Sequence, residues 1–313
     1  MISSNLSDRE VRVPASVANL GGGFDTLAVA VQLYLHLRII ETRDDGGGTL
    51  TVVSSTPPVR GRNVVERAFE AMARWTGVRA PSVFVEAESE IPMSAGLGSS
   101  AAAAVAGLRM FERVTHPLPE GVLLAVATSL EGHADNAAAA LHGGLTSVVE
   151  RHDQEPMALR WAWPDELRLV VATPSMGLST AKARAALSET VSRKDAVFNL
   201  QRVISLIHAL QHREFGGLRE AVGDRWHQPA RAALVPQLTA VLALEDPEIL
   251  GAFLSGAGPS VAVLARRESS RVEQLLTSLY ERAGTPVVVR RLSVHQSAEP
   301  ALLTVAAMHG RTV

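Results

Sequence analysis

The segment from Glu90 to Ala104 restricts the structures and activities open to this chain more than any other. It reads EIPMSAGLGSSAAAA, with two glycines, three serines and a run of alanines. Glycines let main-chain amides approach an anion closely, and a helix beginning near Ser99 adds unpaired N–H groups and the positive end of its dipole. The hydroxyls of Ser94, Ser99 and Ser100 can donate to phosphate oxygens or bind magnesium. The segment therefore predicts a phosphate-binding loop that leads into a tightly packed helix.

Two other glycine loops have to be compared with this segment. A P-loop needs the pattern G-x-x-x-x-G-K-[ST], and neither of the chain's two lysines lies near it. Gly96–Ala101 does match the dinucleotide pattern G-x-G-x-x-A, but that fingerprint expects its first glycine directly after a strand and an acidic residue about 20 positions later. Here Pro92 and Met93 intervene, and Glu112 and Glu120 are poorly placed. A packing turn without a ligand is the remaining alternative.

Length and composition narrow the class of protein. With 313 residues, the chain is longer than one ordinary domain, which favours two domains that share a cleft. The formal net charge of −2, from 30 basic and 32 acidic side chains, gives no field that would attract nucleic acid or an anionic membrane. The absence of cysteine excludes disulfides and thiolate chemistry. The first residues lack a secretory signal and the most apolar stretch, 249–265, is broken by glycine and proline, so we expect a cytoplasmic protein.

The secondary-structure pattern mixes strand pairs and helices without regular alternation, and it predicts an α+β fold. The DDGGG run at 44–48 predicts a hairpin turn, and Asp135 is a candidate helix cap. The polar, proline-containing stretch 152–164 predicts a domain boundary, which divides the chain into 1–155 and 156–313. Strands are predicted at 11–14, 27–41, 49–54, 82–87, 145–149, 167–172, 252–265 as a pair, 287–292 and 302–308, and helices at 63–75, 99–111 and 119–130.

The loop also resembles a known family. Its P-x-S-x-G-L-G-S-S-A pattern is the signature of the GHMP kinases, which include galactokinase, homoserine kinase, mevalonate kinase and phosphomevalonate kinase. The resemblance implies two GHMP domains, one ribosomal-protein-S5-domain-2-like and N-terminal, one ferredoxin-like and C-terminal. It also implies that the loop wraps the phosphates of ATP. The residues implied to bind the nucleotide are Pro92, Met93, Ser94, Ala95, Gly96, Leu97, Gly98, Ser99, Ser100 and Ala101, with Asn63 near the adenine.

Two further segments resemble the homoserine kinases within that family. The run V-P-A-S-V-A-N-L-G-G-G-F-D at 13–25 resembles their acceptor-site motif, with glycine where a proline is usual. It implies substrate contacts from Asn19 and from Asp25, whose carboxylate suits an ammonium group. The run E-G-H-A-D-N at 131–136 implies that Glu131 holds Mg²⁺ together with Ser99 or Ser100. It also implies that the acceptor faces two side chains, His133 and Asn136.

Three C-terminal segments extend the resemblance. S-T-A-K-A-R at 179–184 implies that Thr180 and Arg184 bind the substrate, and D-R-W-H-Q-P-A-R at 224–231 adds Arg231. A guanidinium group can form two parallel hydrogen bonds to a carboxylate. The glycine motif at 254–264 implies that Gly256 and Gly258 lie close to the site. Outside these motifs, each such side chain has an ordinary alternative as a turn residue or a solvated charge.

The implied reaction is Mg²⁺- and ATP-dependent phosphorylation of the side-chain hydroxyl of L-homoserine, a step of threonine biosynthesis. Asn136, Glu131 and Arg184 are its implied catalytic residues. Several GHMP kinases place an aspartate near the acceptor hydroxyl as a base, whereas the matching region here offers Asn136, so no dedicated side-chain base is expected. Alternatives remain open: another GHMP kinase acting on mevalonate, galactose or shikimate, a non-catalytic kinase-like sensor, or a dinucleotide-dependent oxidoreductase. A homodimer is one expectation for the assembly.

Overall fold

Two β-sheets and their helices make up the part of the chain that the structure describes. The structure is a computed structural model, and it describes residues 9–59, 61, 63–152 and 154–296. The first sheet has six strands in the order β3-β4-β2-β5-β6, with β1 also paired to β2. Its strands are β1 (Glu10–Ala18), β2 (Leu27–Arg43), β3 (Leu50–Thr56), β4 (Ser82–Ser89), β5 (Leu145–Arg151) and β6 (Gln154–Trp161).

Four helices pack against this sheet. In the first of them, local sequence determines where the helix begins and ends. The four helices are α1 (Val64–Thr76), α2 (Ser99–Val114), α3 (Glu120–Glu131) and α4 (Asp135–His142). Asn63 and Glu66 form a reciprocal capping box at the start of α1, and Gly77 ends it in the left-handed conformation. Helix α2 approaches α1 closely, since a Cβ on Gly107 would lie 2.2 Å from the Val65 carbonyl oxygen. The predicted helices at 63–75, 99–111 and 119–130 are therefore confirmed.

The second sheet has four antiparallel strands in the order β10-β7-β9-β8. They are β7 (Leu167–Pro174), β8 (Ile249–Leu254), β9 (Val261–Arg266) and β10 (Val287–Leu292). The helices of this part are α5 (Thr180–Ala185), α6 (Arg193–His212), α7 (Leu218–Ala221), α8 (His227–Arg231), α9 (Leu238–Leu242) and α10 (Arg271–Arg282). The chain order of strand, helices, two strands, helix and strand, with this strand order, is the ferredoxin-like topology that the family resemblance implied.

Alternation along β7 places the second sheet between two apolar cores. Leu169 and Val171 join the large core that the first sheet and its helices share. Val170 and Ala172 point the other way, into a smaller core beneath α9 and α10. Because successive side chains of a strand point to opposite faces, one strand can serve both cores. The α+β class and the two-domain fold are as predicted, and both faces of β7 are buried.

One local prediction was wrong at the turn of residues 44–48. Strands β2 and β3 are not neighbours, because β4 lies between them, antiparallel to β2 and parallel to β3. The DDGGG run does reverse the chain, but it connects strands on either side of β4 and is no hairpin turn. Turn residues permit a reversal of direction, whereas the pairing partner depends on strands that are distant in sequence.

The stretch 152–164, where the sequence predicts a domain boundary, contains a strand. Strand β6 occupies most of it and pairs with β5 in the first sheet. A division after residue 155 would cut this strand, so we propose a boundary near Pro164 instead. The predicted strand at 302–308 lies outside the described residues. Within the ranges that the structure covers, no helix is both long and apolar enough to cross a membrane.

Candidate active site

The glycine loop between β4 and α2 is held from behind by its own carbonyl groups. Four successive carbonyl oxygens, those of residues 94–97, accept hydrogen bonds from other parts of the chain. Leu178 N donates to Ser94 O at 3.0 Å, and Ser255 Oγ donates to Gly96 O at 2.6 Å. Positive φ angles at Ser94, Gly96 and Gly98 produce this bend. The loop is thus fixed on its carbonyl side.

The amide side of the same loop is differently arranged. Gly98 is the N-cap of α2 and has no side chain to accept from the helix amides. The first N–H groups of α2, those of Ser99, Ser100 and Ala101, have no carbonyl partner within the helix. An anion at this helix end would accept from them and would meet the positive end of the helix dipole. The local geometry is therefore that of an anion-binding loop, and no cationic side chain is needed to form it.

Two cavities meet at this loop, and they differ in character. One is polar and lies between the two sheets, and the other is largely apolar and lies beside β3 and α1. Ser94, Ser99 and Ser100 line both. The apolar cavity is further lined by Leu35, Thr56, Pro57, Val59, Asn63, Val64, Val65, Ile91, Met93 and Ala103, among others. A ligand with an apolar ring and a phosphate chain could lie in one cavity and reach the other across the loop.

The polar cavity contains every residue that the sequence assigned to substrate binding. Its lining includes Asn19, Asp25, His133, Asn136, Thr180, Arg184, Arg231, Gly256 and Gly258. The lining also includes Glu131 and seven residues of the glycine loop: Ser94, Ala95, Gly96, Gly98, Ser99, Ser100 and Ala101. The residues that line this cavity lie up to 239 positions apart in the chain. Of the remaining loop residues, Leu97 is buried in the core, Pro92 and Met93 line a neighbouring groove, and Met93 also lines the apolar cavity.

Asp25 and Arg184 form a two-pronged ion pair across the polar cavity. Arg184 Nη1 and Nη2 donate to the two carboxylate oxygens of Asp25 at 2.8 Å and 2.7 Å. The hydrogen bond to Asp25 raises the pKa of Arg184 above its usual value, with burial opposing it. Sequence reasoning matched both groups to opposite charges on a ligand, and the structure pairs them with each other. The pair is one-third exposed on each side, so a ligand can reach both groups.

Arg231 lies deeper and is almost fully buried. Its Nε donates to Ala183 O at 3.1 Å, and its Nη1 donates to Gly256 O at 3.2 Å. Burial, with a smaller contribution from the nearby Arg184, lowers the pKa of Arg231 to about 10. The guanidinium is therefore still charged at neutral pH. A solvated surface arginine, the ordinary alternative, is excluded by this burial.

Glu131 and Asn136 each accept a hydrogen bond from a serine hydroxyl. Ser100 Oγ donates to Glu131 Oε1 at 2.7 Å, so Ser100, and not Ser99, is the loop hydroxyl paired with this carboxylate. Ser16 Oγ donates to Asn136 Oδ1 at 2.7 Å. No cluster of three or more His, Asp or Glu side chains suited to a metal occurs within the described ranges. A single carboxylate with a hydroxyl resembles the sparse protein ligand set that Mg²⁺ uses when phosphates complete its coordination.

Asp135 contacts two of the residues that line the polar cavity. The prediction that it caps a helix was wrong. The N-cap of α4 is Ala134, which makes no side-chain capping bond. Instead Asp135 Oδ1 accepts from Asn136 N at 2.7 Å and lies 3.0 Å from His133 Nδ1. The hydrogen bond between Asp135 and His133 raises the pKa of His133, and burial acts in the opposite direction. Asp135 thus fixes two side chains that line the cavity.

Comparisons with known proteins agree on one family. The family description "GHMP kinases N terminal domain" matches residues 63–144, and "GHMP kinases C terminal" matches residues 206–283. A homoserine kinase from Solibacter usitatus is 36% identical over 90% of this chain and 93% of its own length. One from Thermus thermophilus is 38% identical over 88% and 94%. The chain belongs to the homoserine kinase family of GHMP kinases.

Solved structures support the same family. The crystal structure of homoserine kinase from Cytophaga hutchinsonii matches with a TM-score of 0.79 at 25% identity, covering 95% of this chain and 98% of that one. A mevalonate kinase from Methanococcus jannaschii shares the fold at a TM-score of 0.66 and 13% identity, covering 92% and 98%. Homoserine kinases are ATP-using phosphotransferases with an alcohol group as acceptor. The dinucleotide-dependent oxidoreductase is therefore disfavoured.

Sequence reasoning missed several side chains that shape this kinase's site. Phe24 lines the polar cavity, and its ring lies beneath two guanidinium groups, 5.6 Å from Arg184 and 5.2 Å from Arg231. Ser16 donates to the side-chain oxygen of Asn136, and Asp135 accepts from its side-chain nitrogen. All three lie inside the motifs at 13–25 and 131–136, so their position in those motifs was the available signal.

Proposed function

We propose that the chain phosphorylates the side-chain hydroxyl of L-homoserine with Mg²⁺ and ATP. The single observation that carries the proposal is the arrangement of charge in the polar cavity. The carboxylate of Asp25 and the guanidinium groups of Arg184 and Arg231 line it together, beside an anion-binding loop. Such a set complements the ammonium and carboxylate of an α-amino acid. A sugar or a simple hydroxy acid carries no ammonium group for Asp25.

The nucleotide would bind across the two cavities in one orientation. The apolar cavity beside α1 suits the adenine, and the loop amides suit the phosphates. Asn63 lines the apolar cavity, but its side-chain oxygen accepts from Glu66 N at 3.1 Å in the helix cap. Its contribution to nucleotide binding would therefore come from its amide nitrogen or through the position of α1. Ser100 and Glu131 are the residues that would hold Mg²⁺, which supplies charge neutralisation on the phosphates.

The acceptor would enter by exchanging partners with the existing ion pair. The ammonium of homoserine takes the place of Arg184 at Asp25, and its carboxylate takes the place of Asp25 at Arg184. Neither protein charge is left unpaired in this exchange, which avoids the large cost of an uncompensated buried charge. Binding of a zwitterion thus replaces one ion pair by two.

Positioning and charge stabilisation account for most of catalysis in such a transfer. The acceptor hydroxyl would lie near Asn136, whose amide can orient it but cannot take up its proton usefully. The proton would pass to the transferred phosphoryl group or to water. Loop amides and the end of α2 would stabilise the charge that develops on the phosphate oxygens.

A coupled ADP-release assay tests the proposal directly. Purified protein is mixed with ATP and one of four acceptors (L-homoserine, galactose, mevalonate or shikimate), with Mg²⁺ or with excess chelator. We expect Mg²⁺-dependent ADP release with L-homoserine and at least 100-fold lower kcat/KM with the others. Equal or greater activity with another acceptor would refute the substrate assignment. No release with any acceptor, despite ATP binding, would favour the non-catalytic sensor.

Two homoserine analogues test the charge argument separately. 4-Hydroxybutanoate lacks the ammonium group, and 3-aminopropan-1-ol lacks the carboxylate. Each should leave one member of the Asp25–Arg184 pair without a partner, so we expect each to lose roughly 100-fold or more in kcat/KM. If either analogue were turned over as well as homoserine, the corresponding charge contact would be misassigned.

A further inference from the structure

A buried histidine, His227 of α8, connects the two halves of the polar cavity from beneath. Its side chain is fully buried and does not line the cavity. Its Nε2 lies 2.8 Å from the carbonyl oxygen of Gly21, in the loop that carries Asp25. Its Nδ1 lies 3.3 Å from Nη1 of Arg231. One imidazole ring therefore contacts both the loop of the carboxylate and the deeper guanidinium.

The chemistry of these two partners determines the form of the ring. A carbonyl oxygen can only accept a hydrogen bond, so Nε2 of His227 must carry a proton. A guanidinium can only donate, so Nδ1 must be unprotonated. Only the neutral Nε2–H tautomer satisfies both contacts, while a protonated ring would set a second N–H against Arg231. Burial lowers the pKa of His227, with the Asp224 carboxylate 3.6 Å away acting in the opposite direction.

The surroundings prevent the ring from turning. Phe24 stacks on His227 with ring centroids 5.3 Å apart and an interplanar angle of 29°. Asp224 accepts from Asn199 Nδ2 at 2.7 Å and from Gln228 N at 2.7 Å, which fixes the start of α8. The side-chain oxygen of Gln228 in turn accepts from Leu254 N at 2.7 Å. The helix that carries His227 is thus tied to β8 and to α6.

The loop that His227 holds is one that needs external support. Asn19, Leu20 and Asp25 all have positive φ angles of 74°, 45° and 52°. Each is a conformation that costs a residue with a side chain roughly 1 kcal/mol or more and persists only when its surroundings impose it. Gly21 packs so closely against Val222 that an added Cβ would lie 2.1 Å from a carbonyl oxygen. The loop therefore depends on contacts such as that from His227.

We propose that His227 is a positioning residue that sets the spacing of the two charge-binding ends of the acceptor site. Its Nε2–H holds the Gly21 carbonyl and thereby the ammonium end at Asp25. Its Nδ1 holds Arg231 and thereby the carboxylate end. The identity of the acceptor in this inference rests on the proposed function, whereas the linkage through the ring does not.

Two near-isosteric variants separate the two contacts. In His227→Asn the amide lies where Nδ1 was, so its oxygen can still accept from Arg231 while the Gly21 bond is lost. In His227→Gln the amide lies where Nε2 was, so it can still donate to Gly21 while the Arg231 bond is lost. Each variant removes one hydrogen bond and replaces the imidazole ring by a smaller amide group. Each therefore serves as the stability control for the other in thermal unfolding.

Steady-state kinetics with L-homoserine, and inhibition constants for the two analogues, give the readout. We expect both variants to raise the homoserine KM about tenfold with the ATP KM unchanged. His227→Gln should raise the inhibition constant of 4-hydroxybutanoate, which keeps the carboxylate, and leave that of 3-aminopropan-1-ol unchanged. His227→Asn should show the reverse. Equal weakening of both analogues by each variant, or a parallel rise in the ATP KM, would overturn the inference and leave His227 as a packing residue.

A measurement without substrate completes the test. In ¹⁵N NMR of the unliganded wild-type protein near pH 7, we expect His227 with a protonated Nε2 and an unprotonated Nδ1. A protonated Nδ1 would refute the linkage even if homoserine is turned over or the variants fail to fold. Failure of the wild-type enzyme to use homoserine, with the expected tautomer present, would instead refute the proposed acceptor.

Discussion

Substitution of Gly96 by alanine tests the anion loop at a point where it packs tightly against main-chain atoms. An added Cβ would lie 2.3 Å from Ser255 O and 2.8 Å from Gly258 O. Both neighbours are main-chain atoms, so neither can rotate away. Because an ordinary carbon–oxygen contact needs about 3.4 Å, the loop must move by roughly 1 Å away from its support. The residue also has φ of +76°, which costs alanine roughly 1 kcal/mol.

The size of the effect follows from these two terms. Conformational cost and overpacking together predict a loss of roughly 2–4 kcal/mol in the free energy of unfolding. A displacement of about 1 Å at the phosphate-binding amides predicts a roughly 100-fold fall in kcat/KM for ATP. Chemical denaturation gives the first quantity, and coupled ADP release with saturating homoserine gives the second.

Gly77 supplies a matched control because it ends α1 with a φ of +65° and has no other atom within 4 Å of the added Cβ. Gly77→Ala should therefore cost roughly 1 kcal/mol of stability and leave kcat/KM within about twofold of wild type. If Gly96→Ala retained full activity while folded, or if both variants lost activity in proportion to stability alone, the role given to the loop would be wrong.

Four other substitutions probe the remaining assignments. Arg184→Lys keeps the charge but loses the fork, so the homoserine KM should rise about tenfold at constant ATP KM in steady-state assays; equal rises would contradict this. Asn136→Ala should lower kcat about tenfold and raise the homoserine KM, and complete loss of turnover with intact binding would contradict a role limited to orienting the hydroxyl. Glu131→Gln should raise the Mg²⁺ concentration needed for half-maximal rate about tenfold, and an unchanged Mg²⁺ titration would exclude it as a ligand. The pKa of His133 is raised, so the stability that its contact with Asp135 contributes is complete below about pH 6.5 and is lost as pH rises through the raised pKa. His133→Gln should therefore lower the Tm more at pH 5.5 than at pH 9. An equal decrease in Tm at both pH values would disprove the contact with Asp135.

Short-range features of the fold could be predicted well from the sequence. The predicted helices at 63–75 and 99–111 and the predicted strand at 287–292 are present, and each depends on residues within a few positions of one another. The anion loop was equally accessible, because its glycines and the helix after it are contiguous. These features need no knowledge of the rest of the chain.

Features that depend on distant residues were less accessible. The insertion of β4 between β2 and β3 depends on strand pairing, which the turn residues at 44–48 do not encode. The pairing of Asp25 with Arg184 joins residues 159 positions apart. Sequence motifs placed both in the site, but the contact between them needed the fold. The predicted homodimer stays a prediction.

A crystal structure with a non-hydrolysable ATP analogue, Mg²⁺ and L-homoserine tests the central claim most directly. We expect the triphosphate to accept hydrogen bonds from main-chain N–H groups of the loop around Gly98 and Ser99, with no lysine in contact. We expect the homoserine ammonium at Asp25, its carboxylate at Arg184 and Arg231, and its hydroxyl directed at the terminal phosphate. Density for the triphosphate elsewhere, with these amides bound only to water or protein, would contradict the account.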